Sequence, residues 1–461
     1  MKELDKYENK KILVLGLALS GVSAAKLLHK LKALVTVNDY KNLDGNPEAR
    51  ELINEGLRVI TGGHPIELMD EDFELVVKNP GIPYSNPIIK KAIEKRIPII
   101  TEVELAYEVI ESEMIGITGT NGKTTTTTMI TEILNTNRLA GTAYAAGNIG
   151  TPASKVAMKA TELDTTVLEL SSFQLLGTIN LKPAISVITN LYSAHLDYHG
   201  TREEYVRAKM KITENQTEND YLIYNADQSE LSELVNQYSQ ARLVPFSRKK
   251  KLERGVYVEN GKIYFNEEAV LKVKDILLPG KHNLENALAA IAVAKLMNKS
   301  NESIKTALTQ FKGVKHRTQF VCSFEKREFY NDSKATNSLA TINALEGFEK
   351  PIILLAGGLD RGISFDELIP AMKRNVKAVL AFGETADKII QTANKAGIDK
   401  TIKVVNVEQA VPEAYRLSEP NDVILLSPAC ASWDQYPSFE IRGNAYMESI
   451  ARFIQSKQEE E

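Results

Sequence analysis

The chain has little cysteine, no excess charge of either sign and no long apolar run. Two cysteines, Cys322 and Cys430, in 461 residues are too few for a disulfide framework or a cysteine metal cluster. They suit a reducing compartment, and a cytoplasmic location is expected. Fifty-six basic against 60 acidic residues leave a net charge of −4, which argues against general nucleic-acid binding. No uninterrupted apolar stretch approaches the length that spans a bilayer, so no membrane partner is expected. One segment imitates a secretory signal: Lys10-Lys11 followed by Ile12 to Leu19. Asp5 and Glu8 precede it and Gly16 interrupts it, against the pattern of such signals. What remains is ordinary globular material, 43% hydrophobic and 25% charged, long enough for about three domains.

The most informative stretch is Met114-Ile115-Gly116-Ile117-Thr118, which runs into Gly119-Thr120-Asn121-Gly122-Lys123-Thr124 and four more threonines. An apolar β-branched run, a tight glycine turn and a helix start together make an anion site. Unpaired N–H groups and the positive helix end converge on a phosphate. Lys123 is suited to the β- and γ-phosphates, and the Thr124 hydroxyl to Mg²⁺. The strict phosphate-loop spelling is absent, since the expected first glycine falls on Ile117 and Gly119 lies only three residues before Gly122. The alternative is an ordinary strand–helix turn.

Residues 11–39 read as strand, glycine turn, helix, strand and a terminal acidic residue, Asp39. The turn Gly16-Leu17-Ala18-Leu19-Ser20-Gly21 lacks the middle glycine of a dinucleotide fingerprint, because Ala18 stands there. Its methyl group hinders close approach to a pyrophosphate, so nicotinamide binding is the weaker reading. Another nucleotide, such as a uridine diphosphate group, remains open. Leu75–Val77 reads as a strand ending in the rigid loop Asn79-Pro80-Gly81-Ile82-Pro83, and such loops line ligand crevices in open α/β sheets. Thr101–Glu113 reads as an acidic helical connection to a second domain.

Past the phosphate loop, Gly147-Asn148-Ile149-Gly150 reads as a turn, and Asp164–Leu170 as a buried strand ending in Glu169. A carboxylate there has a role opposite the loop threonine, as a Mg²⁺ ligand. A surface glutamate is the competing reading, disfavoured by Val167, Leu168 and Leu170. Ala184–Asn190 is another strand, followed by His195 and His199, read either as functional or as satisfied structural histidines. Arg202–Ile212, with Arg207, Lys209 and Lys211, reads by pattern as a helix with a solvated face. Pro279–Asn286 opens an alanine-rich helix with Asn283 as a cap or base contact, and Gly313–Arg317 reads as a second junction. Three later loops, 331–337, 356–362 and 427–433, should lie at carboxyl strand edges, where their lysine, arginine, serine and threonine suit a carboxylate ligand. The tail Ser456–Glu461 is expected to fray.

The set Gly119–Thr124, Glu169, His195, His282-Asn283 and Asp332-Ser333-Lys334-Ala335-Thr336-Asn337 resembles the Mur ligase family, ATP-dependent amino-acid ligases of peptidoglycan synthesis. The resemblance covers essentially the whole chain. Leu168–Leu175 and Ser427-Pro428-Ala429-Cys430-Ala431-Ser432 are similar to the D-glutamate-adding members. It implies an α/β protein of three domains: a Rossmann-like UDP-substrate domain (residues 1–108), a central phosphate-loop ATPase domain (109–313) and a Rossmann-like amino-acid domain (314–461). It implies small-molecule substrates, namely ATP, UDP-N-acetylmuramoyl-L-alanine and D-glutamate, and a monomer. Ser20 would lie near the diphosphate of the first substrate, Asp39, Tyr40 and Lys41 near its uracil end, and Asn148 and Gln174 near its sugar, with Gly81 a further substrate contact. Gly119 to Thr125, Asn283, Arg317 and Asp332 would contact ATP, while Lys334, Thr336, Arg361, Ser432 and Phe439 would frame D-glutamate. The implied catalytic set is Lys123, Glu169, His195 and Lys209. Thr124 and Glu169 would hold one Mg²⁺, and His195 with a carbamylated Lys209 a second. Two departures stand out, Arg361 where some relatives carry lysine and Trp433 where some carry leucine. The rivals are another ligase of the same family, a folate polyglutamate ligase, or a nucleotide-binding regulatory protein with an oxidoreductase-like first domain.

Overall fold

The structure, a computed structural model, describes residues 1–2, 4–192 and 194–460. Three sheets carry the architecture. The first consists of β1 (Lys11–Leu15), β2 (Leu34–Asp39), β3 (Arg58–Thr61), β4 (Leu75–Lys78) and β5 (Ile99–Ile100), in the order β3-β2-β1-β4-β5. All its pairings are parallel, the doubly wound arrangement of a Rossmann-like domain. Ile12, Leu13, Val14 and Leu15 are all buried, because helices cover both faces of a parallel sheet and leave no polar side. The strand order reverses between β1 and β4. The turn after β1 and the Asn79–Pro83 loop after β4 therefore flank one crevice, at the switch point where such sheets bind ligands.

The second sheet contains β6 (Glu113–Thr118), β7 (Ala143–Gly147), β8 (Thr165–Glu169), β9 (Ile185–Ile188), β10 (Tyr221–Asn225), β11 (Arg242–Ser247), β12 (Val256–Glu259), β13 (Lys262–Phe265) and β14 (Glu268–Lys272). Its order is β14-β13-β12-β11-β10-β9-β6-β8-β7, parallel except for the meander that ends it. The third has β15 (Gln319–Phe324), β16 (Arg327–Asn331), β17 (Ile352–Gly357), β18 (Val376–Phe382), β19 (Thr401–Lys403) and β20 (Val423–Leu426). They lie in the order β15-β16-β20-β17-β18-β19, with only the β15–β16 pair antiparallel. Along β17 the period of two sends Ile352 and Leu354 into one core and Ile353 and Leu355 into another, so helices are needed on both faces.

The chain forms two compact units, one of Met1–Asp275 with Glu285–Thr309 and the other of Ile276–Leu284 with Gln310–Glu461. Within the first, the connection between the two sheets is stitched down. Helix Glu102–Val109 is shorter than the sequence pattern suggests, because Ile110 leaves the helical path and Glu113 already opens β6. Thr101 donates from its hydroxyl to the Gln174 carbonyl, 2.7 Å away. The Glu104 carboxylate accepts from the backbone N–H groups of Ile179, Asn180 and Leu181 at 2.7–3.1 Å. Glu102, fully buried, accepts from the Ser154 N–H, and burial pushes its carboxyl up to about 7.

Two other expectations change. The final helix, Phe439–Glu460, holds its hydrogen bonds through the segment expected to fray; Glu461 lies outside the described residues. Asn283 is not a cap, since helix Lys281–Leu296 begins two residues earlier, and its amide donates to the Pro279 carbonyl at 2.7 Å.

Candidate active site

The phosphate loop occupies the turn between β6 and helix Lys123–Asn135. Gly119 has φ +143° and Gly122 φ +80°, conformations that disfavour a side chain. Space forbids one as well: a Cβ on Gly119 would lie 2.0 Å from the Thr189 hydroxyl, and one on Gly122 would lie 2.2 Å from Oδ1 of Asn286. Because Gly122 is the N-cap and has no side chain, nothing of its own covers the first-turn N–H groups. Those of Lys123, Thr124 and Thr125 precede the first intrahelical bond, Thr126 N–H to the Gly122 carbonyl. The Lys123 ammonium arches back onto the Gly119 and Thr120 carbonyls, 2.9 Å from each.

The segment after β9 fastens the loop. Asn190 accepts from the Thr120 N–H through its backbone carbonyl and from the Asn121 N–H through its side chain, both at 2.9 Å. The Thr189 hydroxyl donates to the Asn121 carbonyl at 2.6 Å, and the Tyr205 hydroxyl lies 2.9 Å from that of Thr120. Asn190, Asn286 and Tyr205 are the supports that sequence reasoning passed over. The only signal was a polar residue where an apolar one would otherwise be expected, directly after a strand or on a buried helix face.

Register brings the carboxylate to the loop, for Glu169 pairs with Ile117 across the parallel β8–β6 ladder. Glu169 is 1% exposed; its Oε1 accepts from the Asn148 amide at 2.8 Å, while its Oε2 is buried without a hydrogen-bond partner among the described residues. The competing reading, a surface glutamate, is thereby removed. Lys209 corrects the solvated-face expectation: it is 2% exposed, and its amine donates to the Gly119 carbonyl at 2.8 Å. Burial holds its pKa well below the usual lysine range, the Lys123 charge lowers it further, and Glu169 opposes both. His195 sits at φ +55°, an unusual conformation for a non-glycine residue, at the start of the one-turn helix Leu196–His199. Its exposed ring meets Phe173 edge-on at 5.1 Å and lies 6.3 Å from Tyr205. His199 stacks on Phe173 and shares a hydrogen bond with the Ser172 hydroxyl. Among the described residues, no group of three or more histidine, cysteine and acidic side chains gathers as a metal cluster.

At the first sheet's crevice, Ser20 accepts from the Asn79 amide at 3.1 Å, and Gly81 donates its N–H to the Asn79 side chain. Asp39 is occupied in holding the walls, accepting from the Leu17 and Lys41 N–H groups and the Asn46 amide. Tyr40 is exposed, 5.8 Å from the His64 ring. Gln174 completes a capping box with Ser171, which commits its side-chain oxygen and explains the Ser-Ser-Phe-Gln run.

In the second unit the three loops leave the carboxyl ends of β16, β17 and β20. Asp332 accepts from the Thr318 N–H and the Ser427 hydroxyl, and burial pushes its carboxyl up to about 7. Lys334 lies 5.1 Å over the Phe439 ring and Arg361 lies 5.3 Å over the Trp433 ring, so the two departures form one stacked pair. Ser432 is buried, its hydroxyl without a partner among the described residues; Thr336 is half-buried and Arg317 exposed. Arg442, unforeseen from the sequence, is fully buried and donates to the Ser333, Gly357 and Cys430 carbonyls, one from each loop.

Residues 10–101, 117–294 and 316–430 match family models described as the Mur ligase MurD-like N-terminal domain, the Mur ligase middle domain and the Mur ligase glutamate ligase domain. A protein named UDP-N-acetylmuramoylalanine–D-glutamate ligase from Lactiplantibacillus plantarum is 58% identical, the match covering 100% of both chains. One of the same name from Listeria monocytogenes is 59% identical over 99% of each. Among solved structures, the UDP-N-acetylmuramate-alanine ligase of Thermotoga maritima superposes with a TM-score of 0.56 at 20% identity, over 97% of this chain and 99% of that one. A MurF ligase of the same organism, in complex with ADP, gives 0.56 at 14% identity over 98% and 96%. At such identities the two structures speak to the fold.

Proposed function

The chain belongs to the Mur ligase family, and from that premise we propose that it adds D-glutamate to UDP-N-acetylmuramoyl-L-alanine at the expense of ATP. The full-length likeness to relatives named for that reaction carries the reading. Residues 1–108 would take the uridine nucleotide, 109–313 ATP and 314–461 the amino acid, in a monomer working in the cytoplasm.

The chemistry must make a carboxylate electrophilic. The terminal carboxylate of the L-alanyl group attacks the γ-phosphorus of ATP, giving an acyl phosphate and ADP. The D-glutamate amine then adds to the acyl carbon, loses a proton and expels phosphate through a tetrahedral intermediate. Catalysis of this kind is mainly positioning and charge neutralisation. The first-turn N–H groups of Lys123, Thr124 and Thr125 would take phosphate oxygens, and the Lys123 ammonium would exchange its two loop carbonyls for them. Asn283, Arg317 and Asp332 would hold the rest of the nucleotide. Lys334, Thr336, Arg361, Ser432 and Phe439 would frame D-glutamate, with Asn148 and Gln174 near the sugar.

The Oε2 of Glu169, buried and without a hydrogen-bond partner among the described residues, supports a cation site shared with Thr124. Mg²⁺ takes few protein ligands and keeps phosphate and water oxygens, which suits a site where no acidic cluster gathers among the described residues. Such an ion would neutralise phosphate charge. A second would use His195 and Lys209, which as an ammonium would repel it. Burial favours the neutral form of the Lys209 amine, which would attack CO₂, lose one proton and become an anionic carbamate with oxygen donors.

The test is phosphate release from ATP with UDP-N-acetylmuramoyl-L-alanine, comparing D-glutamate, L-glutamate and L-lysine. Release with D-glutamate alone is expected; release with L-lysine in its place would assign the chain to another branch of the family.

A further inference from the structure

Lys78, the last residue of β4, is 1% exposed. Lysines are almost never buried unless paired with an acid. Here the ammonium meets the carbonyls of Asn79 and Pro80, each at 3.3 Å, the Ile82 carbonyl at 2.8 Å and the Tyr198 hydroxyl at 3.5 Å. The Tyr84 ring lies 4.9 Å away. Among the described residues none of these neighbours is a carboxylate, and burial lowers the amine to about 8. An apolar side chain would fill the space at lower desolvation cost.

The three carbonyls belong to the loop that forms one wall of the switch-point crevice. The same loop reaches Ser20 through Asn79. Without a cation, carbonyl dipoles converging on one point would repel, so the ammonium selects this loop conformation. Tyr198 extends the link, its hydroxyl lying 3.3 Å from the Pro80 carbonyl and 3.2 Å from that of Ile82. Its ring packs edge-on against Phe173 at 4.6 Å, and Phe173 in turn meets His195. A continuous contact path therefore joins the first sheet's crevice to the histidine turn beside the phosphate loop.

We propose that Lys78 is a positioning residue, which sets the crevice loop of the first sheet in register with the His195 turn of the second, so that seating the nucleotide end of the acceptor aligns that turn. The proposal rests on the reading of the crevice as the acceptor's nucleotide site. Its uncompensated charge also favours an anion in the crevice.

Steady-state kinetics with UDP-N-acetylmuramoyl-L-alanine varied at saturating ATP and D-glutamate tests it. Lys78→Met should raise the acceptor KM about tenfold and lower kcat about tenfold, with the KM for ATP within about twofold of wild type. Tyr198→Phe should lower kcat several-fold with little change in acceptor KM, and the double variant should be no worse than Lys78→Met alone. A merely structural defect would move the ATP KM as well, and that result would overturn the proposal. Wild-type acceptor kinetics in Lys78→Met, or effects that multiply in the double variant, would do the same. If Lys78→Met fails to fold, an unchanged kcat in Tyr198→Phe is sufficient to overturn it. A wild-type protein that does not ligate D-glutamate would remove the functional reading itself, and this inference with it.

Discussion

Burial lowers the basicity of Lys209, a lysine on a charged helix, and the proposed carbamate requires its neutral amine. Lys209→Ala should therefore abolish most ligation, and short carboxylic acids should restore part of it by supplying the missing oxygens; assays with and without acetate check this. Lys123→Ala should lower ATP-dependent turnover by about 10³-fold or more, the order expected when a charge aimed at the reacting phosphate is lost. Binding of UDP-N-acetylmuramoyl-L-alanine, followed by calorimetric titration, should stay within about threefold, since the crevice is built by other residues. Glu102 bears on stability alone. Its carboxyl rises from the usual 4.5 to about 7, so the native state keeps a proton that the unfolded chain has lost. Stability present at low pH is then lost as pH rises through 7, by about 3 kcal/mol for such a shift. Glu102→Gln keeps the acceptor for the Ser154 N–H and lacks that loss, so urea unfolding should find it more stable than wild type at pH 8 and not at pH 4.

At the scale of elements, the loop between β6 and its helix is fixed as much by its neighbours as by its own spelling. Gly119→Ala would force a methyl group against the Thr189 hydroxyl and to within 3.2 Å of the Asn190 backbone, from a φ that alanine disfavours. We expect a cost of about 1–3 kcal/mol in stability and loss of ATP turnover, read by thermal unfolding and phosphate release. Gly122→Ala meets the end of one side chain, Asn286, instead of backbone, so pairing it with Asn286→Ala should recover part of the stability it loses.

For the molecule as a whole, the division into two compact units predicts two cooperative unfolding transitions, not three. The first two sheets share a hydrophobic core and are stitched through Thr101, Glu102 and Glu104. Scanning calorimetry of the full chain should resolve one transition for this unit and one for the other. A separate early transition for the first sheet would show the stitching to be weak.

Sequence by itself determined the elements whose signal is local: the β-branched run and glycines of the phosphate loop, the βαβ start at residues 11–39, and the strand that ends in Glu169. Period, turn chemistry and motif spacing are properties of neighbours along the chain. Motif likeness reached further, to the family and to a set of candidate residues whose roles are proposals, with no account of what supports them. Tertiary structure alone decided which polar residues are buried and against what. Pattern placed Lys209 in solvent, gave no hint that Lys78 lies under a loop, and passed over Asn286 and Arg442, because an isolated charged or amide residue reads as surface until long-range packing covers it. Desolvation depends on the sum of distant contacts, and that sum exists only once the sheets are assembled.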